Sequence, residues 1–149
     1  MGVDSKAYVP YLNREELVSF LEFIGKNVNL ESTSYQSYKT ISFKFGEEDR
    51  ILHTHDLDLR EEKVKERYKK EGWTYNYEKT EYASYLEQGL PDGTYGLLLD
   101  FSLWGQAIEL LTIICKRFGG YLDENDSDDK PFYKIDKDLR DIIIILMHI

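Results

Sequence analysis

The stretch His53-Thr54-His55-Asp56-Leu57-Asp58 carries two imidazoles and two carboxylates within a few positions. On an extended strand His53 and His55 project to the same face, a spacing at which two imidazoles can share one divalent transition metal. Asp56 and Asp58 fall on the opposite face of a regular strand. A break before the next segment is therefore needed to bring either one round as third ligand or general base. The only other histidine is His148. With a full ligand set this would be the centre of a metal-dependent hydrolase. The residues favour the plainer account, two half-buried strand histidines between Ile51 and Leu57, because a metal site needs its whole ligand set and the default is no cofactor.

Two further groups point to binding rather than catalysis. Asp123-Glu124-Asn125-Asp126-Ser127-Asp128-Asp129 holds five acids in seven residues. Its alternating oxygens resemble a calcium loop, yet the sixth position is Asp128 instead of Gly and the twelfth is Lys134 instead of Glu, which rejects an EF-hand. A solvated loop remains, whose Asp126, Asp128 and Asp129 can meet Lys or Arg on a partner. Tyr68, Trp73, Tyr75, Tyr77, Tyr82 and Tyr85 form the second group, in a chain with 12 tyrosines. Such rings bring large contact area with a polar tip, as interfaces do, and they are also ordinary strand residues.

Composition narrows the partner. The 149 residues carry 19 Lys and Arg against 28 Asp and Glu, a formal charge of −9. That field repels nucleic-acid phosphates and anionic lipid, and it suits a basic protein surface. Cys115 is the single cysteine, so no internal disulfide or thiolate zinc site is available; within Ile113-Ile114-Cys115 it reads as a small buried hydrophobe. The first ten residues lack an apolar signal region, and the longest apolar run, Ile142–Met147, is far short of the about 20 residues a spanning helix needs. A cytoplasmic protein is the expectation. Nucleophile elbows, phosphate loops, dinucleotide glycine motifs and His-Glu-x-x-His are all missing from the sequence.

The elements that must position these residues follow from periodicity. Asn13 with Glu16 reads as a capping box, Leu12 and Leu17 as a hydrophobic staple, and Leu17, Leu21, Ile24 and Val28 as the stripe of a first helix. Period-two patterning over Ser37–Phe45 and Arg50–Leu57, around a Gly46–Asp49 turn, predicts a hairpin. Arg60–Glu71 is a charged helix with few apolar positions, closed by Gly72. Trp73, Tyr75 and Tyr77 alternate with Thr74, Asn76 and Glu78, which predicts a third strand with its rings on one face. Glu81–Gln88 predicts a short helix capped by Gly89, and Pro91-Asp92-Gly93 a turn. The continuous Leu97-Leu98-Leu99 within Thr94–Asp100 predicts a central strand covered on both faces. Leu103–Phe118 is the strongest helix, followed by short strands at Tyr121–Glu124 and Pro131–Ile135. The tail fits either a helix face or a strand, and its apolar Ile142–Ile149 can be core or a homodimer interface. No linker divides residues 1–149, so one α+β domain is expected, with helices on a mostly antiparallel sheet.

Within Leu103–Tyr133, the apolar helix ending Arg117-Phe118-Gly119-Gly120 and the following Tyr121-Leu122-Asp123-Glu124-Asn125-Asp126 resemble small acidic bacterial proteins of the toxin–immunity type. The resemblance covers about a fifth of the chain and implies an inhibitor that binds and blocks a toxin domain. The residues themselves lead to a non-enzymatic binding module using Trp73, Tyr75, Tyr77 and the 123–129 loop against a basic protein. The metal-dependent hydrolase of His53 and His55 is the alternative, and an acidic mimic filling another protein's nucleic-acid groove is a third.

Overall fold

A computed structural model describes residues 5–24, 28–32, 39–45, 48–101, 106–124, 130–138 and 140. Strand β1 (Ser5–Pro10) leads into helix α1 (Arg14–Phe23). The Asn13 side chain accepts from the Glu16 backbone N–H at 2.8 Å, so the expected N-cap is formed; the Glu16 carboxylate returns to the Asn13 side-chain amide at 2.7 Å instead of the backbone N–H that a full capping box uses. Leu12 and Leu17 are both buried beside it. The helix ends at Phe23, and the expected continuation of its stripe to Val28 fails: Val28 opens strand β2 (Val28–Ser32). Strands β3 (Lys39–Phe45) and β4 (Glu48–Asp58) form the expected hairpin, with Phe45 opposite Glu48 and Lys39 opposite Thr54.

Helix α2 (Glu61–Glu71) follows, then a 3-10 turn (Tyr77–Lys79), helix α3 (Glu81–Glu87), strand β5 (Tyr95–Phe101), helix α4 (Gln106–Phe118) and strands β6 (Gly120–Asp123) and β7 (Tyr133–Ile135). The seven strands make one sheet in the order β2-β3-β4-β5-β1-β6-β7, with every ladder antiparallel. The first strand thus inserts between β5 and β6, which run parallel to each other with α4 as their crossover, a split β-α-β unit. The fold is α+β, with helices on an antiparallel sheet.

Both sheet faces are covered, which explains the unbroken leucine run. Leu97 and Leu99 enter one core with Leu17 and Leu21 of α1 and Leu110, Ile113 and Ile114 of α4. Leu98 points the other way, into a second core with Tyr8, Leu59, Val64 of α2 and Tyr82 of α3. Pairing of β1 with β5 depends on Gly96, since a Cβ there would collide with the Val9 carbonyl oxygen.

The third strand expected over Trp73–Tyr77 does not form. Residues 73–76 have no regular structure and Tyr77 begins the 3-10 turn. The alternation that imitates a strand is used differently: Gly72, left-handed at φ 74°, turns the chain back so that the Trp73 N–H bonds the Tyr68 carbonyl at 2.9 Å. The rings then wrap a helix instead of lining a sheet.

Candidate functional site

The aromatic group is a platform built on α2. Tyr68 is its centre: the Trp73 ring meets it edge-on at 5.4 Å and the Tyr75 ring at 5.7 Å. The Tyr75 hydroxyl donates to Glu61 at 2.8 Å, and the Lys65 ammonium lies 5.4 Å from the Tyr75 ring centre. Burial and the Glu61 carboxylate push the Tyr75 phenol up to about 12, so it stays a neutral donor at physiological pH. Tyr77 packs edge-on against Tyr82 at 5.9 Å, and Tyr82 donates to Asp92 at 2.6 Å. Trp73 is 56% exposed and Tyr77 44% exposed despite these anchors. Of the three expected binding aromatics, Trp73 and Tyr75 share the Tyr68 cluster while Tyr77 stands on Tyr82, with Trp73 and Tyr77 exposed and Tyr75 half-buried.

The acidic half of that expected surface is outside the described residues: Asp126, Asp128 and Asp129 belong to it. At its start, Glu124 accepts a 2.6 Å hydrogen bond from Tyr133. The apolar tail, Ile142–Ile149, is outside as well.

His53 and His55 occupy β4 and project to the face of the sheet that carries α2 and α3, since His55 lies opposite Leu98 of the second core. Asp56 and Asp58 do not join them. Thr54, between the histidines, is wholly buried on the α1 side, accepts from Arg14 Nε at 2.9 Å and donates to the Lys39 carbonyl at 3.0 Å. Arg14 Nη1 then binds both Asp56 oxygens at 2.9 and 3.0 Å. Asp58 is bound by Arg60 through Nε at 2.9 Å and Nη2 at 2.7 Å, which holds its carboxyl below the ordinary carboxylate range. The strand stays regular through Asp58, so no break turns a carboxylate toward the imidazoles. Among the described residues no three His, Cys, Asp or Glu side chains converge as a metal site.

The sheet register sets other groups near the histidines. His53 lies opposite Asp100, Asp100 opposite Lys6, and Lys6 opposite Asp123, a polar row across four strands. Burial first, then His53 and Arg14, lower the His55 pKa, with Glu81 of α3 acting against them. Asp100 and Lys6 escaped the sequence reading because they are far from His53 along the chain and only strand order brings them together. Cys115 is fully buried and its thiol is pushed up to about 12, so it is held as a neutral thiol at physiological pH.

A cleft of about 440 Å³ opens where β4 ends and β5 begins, beside the start of α1. Arg14, Arg60 and Arg67 line it together with Asp56, Asp58 and Tyr95. The Arg60 guanidinium lies 4.4 Å over the Tyr95 ring, and Tyr11, left-handed at φ 65°, meets that ring edge-on at 5.0 Å. A second cleft of about 360 Å³ adjoins it along α2, shares Asp58 and Arg67, and adds Lys63, Glu66 and Lys70. Three arginines at one cleft in a strongly acidic chain are a feature the average charge conceals.

No helix among the described residues is long and apolar enough to cross a membrane. No protein-family model, curated protein or solved structure matches the chain.

Proposed function

We propose that this chain is a non-enzymatic protein-binding module that docks on a basic partner surface through the aromatic platform of Trp73, Tyr75 and Tyr77. One observation carries the proposal: Trp73 and Tyr77 are held by ring contacts to Tyr68 and Tyr82 yet leave about half their surface open. An anchored ring loses little conformational freedom on binding, and fully burying it adds large apolar area, the combination typical of interface hot spots. The −9 charge and the acids of 123–129, including Asp126, Asp128 and Asp129, favour Lys- and Arg-rich partners and speed their encounter. The resemblance to immunity-type inhibitors implies a toxin domain as that partner.

The test is affinity capture from source cells with the wild-type chain and with the double variant Trp73→Ala, Tyr77→Ala, followed by titration of the purified partner. The double variant is expected to weaken binding by about 2 kcal/mol or more, some thirtyfold. Its melting temperature should stay close to wild type, because neither ring belongs to the buried cores. Equal partner affinity for both proteins rejects the platform as the docking surface.

A further inference from the structure

The sector of α2 next to the aromatic platform carries a different chemistry. At 3.6 residues per turn, Lys63, Arg67 and Lys70 fall within a sector of about 60°, and Arg60 at the N-cap prolongs the row. They lie on the other side of buried Val64 from Glu61, Lys65 and Tyr68, so the helix separates a basic flank from an aromatic one. The two adjoining clefts run beside this row, from Arg14 at one end to Lys70 at the other. Five cations face three carboxylates there, Asp56, Asp58 and Glu66, in a chain whose total is −9.

Lys63 is ion-paired with Glu66 at 3.4 Å, and the other four cations fall into two kinds. Arg14 and Arg60 are fixed in place by their bidentate contacts to Asp56 and Asp58, and Arg60 is also backed by Tyr95. Arg67 and Lys70 have no carboxylate partner among the described residues; the Arg67 guanidinium only overhangs the Tyr68 ring at 5.7 Å. Their charge is therefore available to a ligand. A bare polyphosphate would meet the interspersed carboxylates as repulsion. A peptide meets them with its backbone N–H groups, while its own carboxylates reach the guanidinium and ammonium groups. Mixed donors and acceptors along a continuous groove fit an extended acidic peptide.

We propose that the groove formed by Arg14, Arg60, Lys63, Arg67 and Lys70 binds an extended acidic segment of a second protein. This goes beyond the aromatic platform and uses separate residues, with Arg67 lying over the Tyr68 ring where the two surfaces adjoin, so the module has opposite preferences on neighbouring sectors of one helix.

The probe is a fluorescein-labelled peptide of six glutamates, followed by anisotropy in a buffer of about 50 mM salt, where screening leaves such contacts measurable. The wild-type chain is expected to bind it, more weakly as salt rises. Arg67→Glu with Lys70→Glu should reduce the affinity by about tenfold or more, whereas Lys69→Glu with Lys79→Glu, the same charge change off the groove, should reduce it far less. Should the first pair perturb folding, Arg67→Gln with Lys70→Gln should give a smaller loss in the same direction. Absence of peptide binding, equal losses from the two charge-reversal pairs, or tighter binding of a six-nucleotide single strand than of the peptide would each overturn the proposal.

Discussion

Residue-scale contacts decide the chemistry around β4. The Thr54 hydroxyl is fully buried and joins Arg14 to the β3 backbone, so Thr54→Val, close in shape, leaves two groups unsatisfied and should cost about 2 kcal/mol in urea denaturation. A loss within error of zero would mean that the bridge contributes nothing to stability. His55 gives a pH prediction. Its folded pKa lies below its ordinary value, so the unfolded chain takes up the proton more readily. The stability it contributes is complete above the unfolded pKa of about 6.5 and is lost as pH falls through the folded pKa. Melting temperatures measured between pH 7.5 and 5.5 should fall less steeply in His55→Gln than in the wild type; parallel curves would contradict the assignment. The sequence shows that His53 and His55 share a face, because period two is strict on a strand. It does not show that Asp56 and Asp58 are taken up by Arg14 and Arg60, since the first of those partners comes from a helix about 40 residues earlier.

At the scale of elements, glycine positions separate two kinds of constraint. Gly96 has no room for a Cβ against the Val9 carbonyl, and Gly96→Ala should destabilise by about 3 kcal/mol because β1 and β5 must move apart. Gly72 is left-handed with open space around it, so Gly72→Ala should cost only about 1 kcal/mol of backbone strain. Denaturant midpoints for the two variants check the order, and a larger loss at Gly72 would contradict it. Elements whose signals are local were legible: the Asn13–Glu16 cap, the 39–58 hairpin, the helix before Gly119 and the doubly buried leucines of β5 all agree with the pattern. The Trp73–Tyr77 segment imitates a strand without forming one for a physical reason. Alternating rings satisfy a strand only where a neighbouring strand offers its backbone, and here Tyr68, reached through the Gly72 turn, supplies the contact instead. The basic row on α2 was visible as helical spacing but was masked by the mixed charges of Arg60–Glu71. Only the neighbouring clefts single it out.

Across the whole molecule, strand order matters most. Insertion of β1 between β5 and β6 places both cores against one sheet and sets α2 on the face away from α1 and α4. With its inner side fixed by Val64 and Tyr68, α2 can present aromatic rings and cations on neighbouring sectors. No local sequence signal encodes that arrangement, because the pairing of residues 5–10 with 96–101 spans most of the chain. Trp73 and Tyr77 are the proposed docking surface for a basic protein. Its most direct test is side-by-side capture from source cells with the wild type and the Trp73→Ala, Tyr77→Ala variant, after equal melting temperatures establish that both are folded. A basic protein retained by the wild type and lost from the variant is the expected result. The same proteins retained equally by both would contradict it.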